Sequence, residues 1–142
     1  MSAHISLITL GVADVATATA FYSKLGFAQS KQASQAAISF FHAGPVVLAL
    51  FGRDALDDDA QAGALWTGNG GIALAQNVAS EAEVDAMLAR AEACGARILK
   101  PAAKTFWGGY DGYFADLDGH VWEVAFNPHW ALEDDGQIAL PE

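Results

Sequence analysis

The chain has one cysteine, Cys94, so no intramolecular disulfide can close, which fits a reducing compartment. Cys94 falls near the end of a predicted helix, just before Gly95, and reads as a small packing residue. Lysine and arginine are also scarce. There are 7 of them against 17 aspartates and glutamates, for a formal net charge of −10. An acidic surface of this kind repels phosphate backbones and offers no cationic cluster to anionic lipid, so neither nucleic acid nor membrane is expected as a partner. No apolar run approaches the roughly 20 residues that cross a bilayer. Met1 to His4 lack the basic and then apolar opening of a signal peptide, so a cytoplasmic location is expected. No G-x-S-x-G elbow, phosphate-binding glycine loop or recognisable cysteine–histidine pairing occurs, which removes the common nucleophile chemistries.

What remains is apolar. Hydrophobic residues make up 53% of 142 positions, enough to bury the core of one domain and too many for disorder. Ile5 to Val12 reads as a strand. Asp14 then caps a helix whose Val15, Ala18, Phe21, Tyr22 and Leu25 form one apolar stripe, closed by Gly26. Phe27 to Ala33 reads as a short strand. Ala37 to Phe41 and Val46 to Phe51 read as a hairpin around His42-Ala43-Gly44-Pro45. From Gly52 to Asn69 the composition changes, and the run Asp57-Asp58-Asp59 reads as a solvated loop joining two halves. After Gly70 come a strand at Ile72 to Val78 and a helix at Glu81 to Ala93 with the capping box Ser80 and Glu83. Gly95 ends that helix. A short strand at Arg97 to Leu99 is expected to stop at Pro101. A second hairpin, Tyr113 to Ala115 with Val121 to Phe126, turns at Asp118-Gly119.

Both halves therefore read strand, helix, strand, strand, strand. Leu7-Ile8-Thr9-Leu10 overlays Gly71-Ile72-Ala73-Leu74, and Val46 to Phe51 overlays Val121 to Phe126. The fold class that follows is α+β, with two tandem βαβββ repeats forming a curved mixed sheet around a cavity and helices on its outer face. The single domain, 1–142, would comprise repeats at about 4–52 and about 70–128, a linker at about 53–69 and a tail at 129–142. Strand alternation turns Val121, Glu123 and Ala125 to the concave face, with Trp122 and Val124 toward the helices. The overlay gives Val46, Leu48 and Leu50 the concave face too.

Leu10-Gly11-Val12-Ala13-Asp14, Phe21-Tyr22 and Leu25-Gly26-Phe27 resemble the L-x-V-x-D, FY and LGF signature of the vicinal oxygen chelate superfamily. That group includes glyoxalase I, bleomycin-resistance proteins and extradiol dioxygenases. Tyr113-Phe114-Ala115-Asp116-Leu117-Asp118-Gly119-His120-Val121-Trp122-Glu123-Val124 is similar to the family's second-repeat ending, with Leu117 where proline is usual. The resemblance implies a homodimer, and for family enzymes a divalent metal held by His and Glu from the first and last strand of each repeat. Carried over, those four positions are Leu7, Leu48, Gly71 and Glu123. Three have no side-chain donor, so neither metal nor cofactor is expected here. His42 and His120 lie in or beside turns and His4 and His129 near the termini, where they read as solvent-facing or capping residues.

Glu123 is the one polar group expected in the cavity, as a general acid or base or as an acceptor for a ligand. Phe106-Trp107-Gly108-Gly109-Tyr110 reads either as an aromatic lid over a ligand or as a packed loop or dimer contact, and Leu7, Leu48, Trp107, Tyr110, Tyr113 and Glu123 form the expected ligand-binding set. Trp66 and Trp130 are further candidate aromatics. Three functions stand open: binding a small organic molecule without the family metal, a metal-independent lyase or isomerase using Glu123, and a metal-dependent lyase or dioxygenase, which the donor positions argue against.

Overall fold

The computed structural model describes residues 3–66 and 71–141. The chain divides into two compact units, with the break between Ile72 and Ala73. The first contains β1 (Leu7–Val12), α1 (Val15–Leu25), β2 (Ala28–Gln29), β3 (Ile38–Ala43), β4 (Val46–Gly52) and α2 (Arg53–Ala60). The second contains β5 (Ala73–Asn77), α3 (Glu81–Ala93), β6 (Arg97–Lys104), β7 (Tyr110–Ala115), β8 (Val121–Phe126) and the short pair β9 (Ala131–Leu132) and β10 (Ile138–Ala139). Each unit has a four-stranded mixed sheet, in the orders β1-β4-β3-β2 and β5-β8-β7-β6. In both, the first strand lies parallel to the last and the other pairings are antiparallel. The repeat and the α+β class thus hold. Among the described residues no helix is long and apolar enough to cross a membrane.

Local sequence explains each helix. Asp14 accepts the Thr17 N–H at 2.7 Å, opening α1, and the Gly26 N–H closes it onto the carbonyls of Tyr22 and Ser23. Ser80 accepts the Glu83 N–H, and Glu83 reaches back to the Ala79 N–H, so α3 opens on a reciprocal cap. Ser80→Ala leaves one helix-end donor without this partner and is expected to destabilise the protein by about 1 kcal/mol in urea denaturation. Glu83→Ala, which removes the other half of the box, should shift the midpoint in the same direction.

Each helix covers one face of its own sheet. Tyr22 of α1 sits edge-on to Phe21 and Phe27, and its ring centroid lies 6.3 Å from that of Phe41 on β3. In the second unit Phe114 and Trp122 stack with centroids 6.2 Å apart under α3. A polar pair ties α1 to β3, Thr19 Oγ1 lying 2.7 Å from Ser39 Oγ, which meets the hydrogen-bonding need of a buried serine.

Some sequence expectations change: the strand expected at Phe27 to Ala33 is only Ala28–Gln29. The acidic run Asp57-Asp58-Asp59 lies on α2 rather than in a loop, although its side chains are exposed as expected. Good helix formers surround it, and Leu56 anchors the helix by packing where Gly11 lacks a side chain. The remainder of the expected linker at 67–69, and the second repeat's start at Gly70, lie outside the described residues. A further change is in β6, which does not stop at Pro101. It continues to Lys104 through irregular pairings either side of Lys100. An edge strand tolerates proline because one row of its backbone groups has no ladder partner to lose.

Candidate functional site

Antiparallel pairing of β7 with β8 sets Tyr113 opposite Glu123 and Asp111 opposite Ala125. The alternate residues Gly112 and Phe114 face α3, since Leu88 of that helix closes directly over Gly112. With a side-chain period of two, Asp111, Tyr113 and Glu123 share the opposite, helix-free face. Lys100 on β6 pairs with Tyr113 and joins them.

These four side chains form one connected group. The Tyr113 hydroxyl donates to Glu123 Oε2 at 3.2 Å. Lys100 Nζ lies 3.0 Å from Asp111 Oδ1 and 5.8 Å above the Tyr113 ring. Asp111 is 4% exposed, so its ion pair works at lower dielectric than a surface pair, although the lysine end is open to water. Burial raises the Glu123 carboxyl above its ordinary value of 4.5, and the hydrogen bond to the Asp111 carboxyl raises it further; Tyr113 and Lys100 pull the other way. A bond between two carboxyls needs a proton on one of them, which is why this contact favours the neutral acid. Burial also raises the Tyr113 hydroxyl, followed by the charge and hydrogen bond of Glu123.

The sign of the linkage follows. A carboxyl whose folded value lies above its unfolded one stabilises most below the unfolded value, near 4.5, and that contribution is lost as pH rises through the raised value. Glu123→Gln removes the titration while keeping a donor for Asp111 and an acceptor for Tyr113. The stability of Glu123→Gln relative to the parent should therefore rise between acidic and neutral pH. Denaturation midpoints measured across that range check this, and a difference independent of pH would refute it.

Of the residues singled out in the sequence, Tyr113 and Glu123 lie side by side on adjacent strands. Leu7 lies on the face of its own sheet turned away from α1, paired with Val47, and α2 packs against the same face further along the strand at Gly11. Leu48 does not lie on that face. It pairs with Phe41, which packs against Tyr22 of α1, and is 2% exposed on the helix side. The overlay aligned the strands by hairpin position, but the ladder runs an odd number of residues out of step with it, and an odd slip exchanges the faces. The residues of β4 facing as Glu123 does on β8 are Val47, Ala49 and Phe51. Tyr110 is likewise corrected: it is the first residue of β7, on the α3 side, and donates to Asp85 Oδ1 at 2.7 Å. That bond is the main cause of its raised hydroxyl value. Trp107 is half-buried, its indole occupying the space over Gly109 where any Cβ would collide. Thr105 braces the turn, its hydroxyl accepting the Gly109 N–H at 2.9 Å.

Lys100 and Asp111 were missed. Asp111 falls before the strand expected to begin at Tyr113, whereas β7 starts at Tyr110. Its signal was the two-residue spacing from Tyr113. Lys100 was cut off by the expectation that Pro101 ends the preceding strand. Among the described residues no three His, Cys, Asp or Glu side chains cluster as a metal would need. The His120 N–H donates to Asp116, whose carboxylate also accepts from Asp118 and holds the turn between β7 and β8.

The family model of the Glyoxalase/Bleomycin resistance protein/Dioxygenase superfamily matches residues 4–124. A glyoxalase-related enzyme from Fulvimarina pelagi superposes with a TM-score of 0.88 at 36% identity, covering 98% of this chain and 99% of that one. The genomically encoded fosfomycin resistance protein FosX from Listeria monocytogenes gives 0.69 at 26% identity, covering 91% and 97%. A glyoxalase/bleomycin resistance protein/dioxygenase family enzyme from Burkholderia phytofirmans gives 0.77 at 20% identity, covering 87% and 98%, a likeness of fold alone. No curated protein matches the chain.

Proposed function

Given that this chain belongs to the Glyoxalase/Bleomycin resistance protein/Dioxygenase superfamily, we propose that it binds a small organic molecule on the helix-free face of its second sheet without the divalent metal that family enzymes use. One observation carries the metal-free part. On the faces of β1 and β4 turned away from α1, and of β5 and β8 turned away from α3, the only carboxylate, imidazole or thiol among the described residues is Glu123. The others are Leu7, Thr9 and Gly11, then Val47, Ala49 and Phe51, then Ala73, Ala75 and Asn77, with Val121 and Ala125. Divalent metals need several converging nitrogen, oxygen or sulfur donors. The neighbouring carboxylate, Asp111, is already committed to Lys100. The ligand-binding groups in this reading are Tyr113 and Glu123, supported by Lys100 and Asp111 of the same sheet.

Elemental analysis of protein purified without chelator tests the reading, together with thermal-shift scans against divalent metals and a small-molecule panel that includes fosfomycin, chosen because a similar structure is that of a fosfomycin resistance protein. Trace metal, no stabilisation by metal ions and stabilisation by a panel member are expected. Stoichiometric metal with clear stabilisation overturns the reading.

A second reading is favoured by the raised Glu123 carboxyl, which suits proton transfer near neutral pH: a metal-independent lyase or isomerase with Glu123 as general acid or base. Under it, Glu123→Gln retains ligand affinity while turnover falls on the order of a hundredfold or more. Equal turnover in the variant refutes catalysis by Glu123. The protein in this proposal is a cytoplasmic homodimer, with light scattering on the purified chain as the check on the assembly.

A further inference from the structure

On the other side of the second sheet, a groove of about 310 Å³ runs between α3 and β6. Its floor is apolar, made of Leu88 and Ala89 from the helix and Ile98, Pro101 and Ala102 from the strand. The irregular pairings either side of Lys100 distort the edge strand here. Two carboxylates, Asp85 and Glu92, stand on the groove, and no cationic residue lines it. Nearby lysines are committed elsewhere, Lys100 to Asp111 on the opposite face and Lys104 to Glu81.

The spacing of the two acids is the informative feature. Asp85 and Glu92 are seven residues apart on α3, two turns of helix, so they project from the same side about 10 Å apart along the axis. Tyr110 holds the first of them through its hydroxyl. An apolar trough with one anion toward each end complements a molecule with the inverse pattern: two cations joined by an apolar spacer of about that length. The net charge of −10 favours the approach of such a ligand.

We infer that the groove between α3 and β6 binds a linear aliphatic diamine, its ammonium groups on Asp85 and Glu92 and its methylene chain on Leu88, Ile98 and Pro101. This site is separate from the Glu123 face and does not depend on the function proposed there.

The test is a titration of the full-length protein with octamethylenediamine, followed by backbone amide NMR. Butylamine, which has one charge and a short chain, is the control. Saturable shifts centred on α3 and β6 are expected. Exposed ion pairs contribute little each, so the double variant Asp85→Asn with Glu92→Gln should weaken binding about tenfold, and butylamine should bind more weakly than the diamine. Both substitutions are on the helix surface, and an unchanged amide spectrum outside the groove verifies the fold. The inference is overturned if the shifts fail to saturate, if they scatter over the acidic surface, or if the double variant binds the diamine as well as the parent does.

Discussion

Phe114→Ala is expected to destabilise the protein by about 3–5 kcal/mol, close to the whole stability of many small domains. Phe114 is 1% exposed and lies parallel to the Trp122 indole, so truncation removes a large apolar contact and leaves a void beneath α3 that the sheet cannot close. Phe114→Leu fills most of that void and should be much milder, in the range of about 1–2 kcal/mol. Urea denaturation followed by tryptophan fluorescence distinguishes the two. If both variants lose stability equally, the ring stacking and not the volume is what matters. If neither does, the assignment of this position to the core is wrong. The residue lies next to Tyr113 on β7, so the strand that displays the polar group on one face depends on this packing on the other.

The second large effect is expected at Gly112, also on β7. A Cβ there would lie 2.5 Å from Leu88 Cδ1, 2.9 Å from the Lys100 carbonyl oxygen and 3.1 Å from the Ala102 nitrogen. Leu88 can rotate away, but the two backbone atoms of β6 cannot move without parting the strand from its neighbour. Gly112→Val should therefore destabilise by about 3 kcal/mol or more, at the upper end for overpacking, and Gly112→Ala by somewhat less. The physical claim is sharpened by a double variant. Leu88→Ala combined with Gly112→Ala should recover only part of the loss, because the backbone clash persists. Full recovery in that variant would mean that the helix alone, and not β6, requires glycine here.

The fold was legible because its signals are local. Helix ends are written by single residues that supply or accept particular hydrogen bonds, and Asp14, Gly26, Ser80 and Glu83 act where the sequence places them. The residue range of α3 and that of β8 agree with the sequence reading. The repeat was visible because two halves with the same strand order need the same alternation of apolar and breaking residues.

Register was not local, and the site depended on it. Whether Leu48 or Val47 faces as Glu123 does depends on whether the ladder is offset by an odd or an even number of residues. The hairpin that links β3 to β4 turns in fewer residues than the one between β7 and β8, so counting from the turns gives the wrong face. Tyr110 illustrates the same limit, since an aromatic in a glycine-rich segment reads as lid until the strand is seen to begin with it. Pro101 illustrates another. A proline ends a central strand, but on an edge it costs no ladder bond, and only the sheet order shows that β6 is an edge. That continuation brings Lys100 to Asp111. By itself, the sequence determined the fold class, the repeat and the boundaries of α1 and α3. Only the tertiary structure decided which carboxylate and which lysine join Tyr113 and Glu123, because those partners come from separate strands whose pairing is set by packing against α3 and not by any nearby residue.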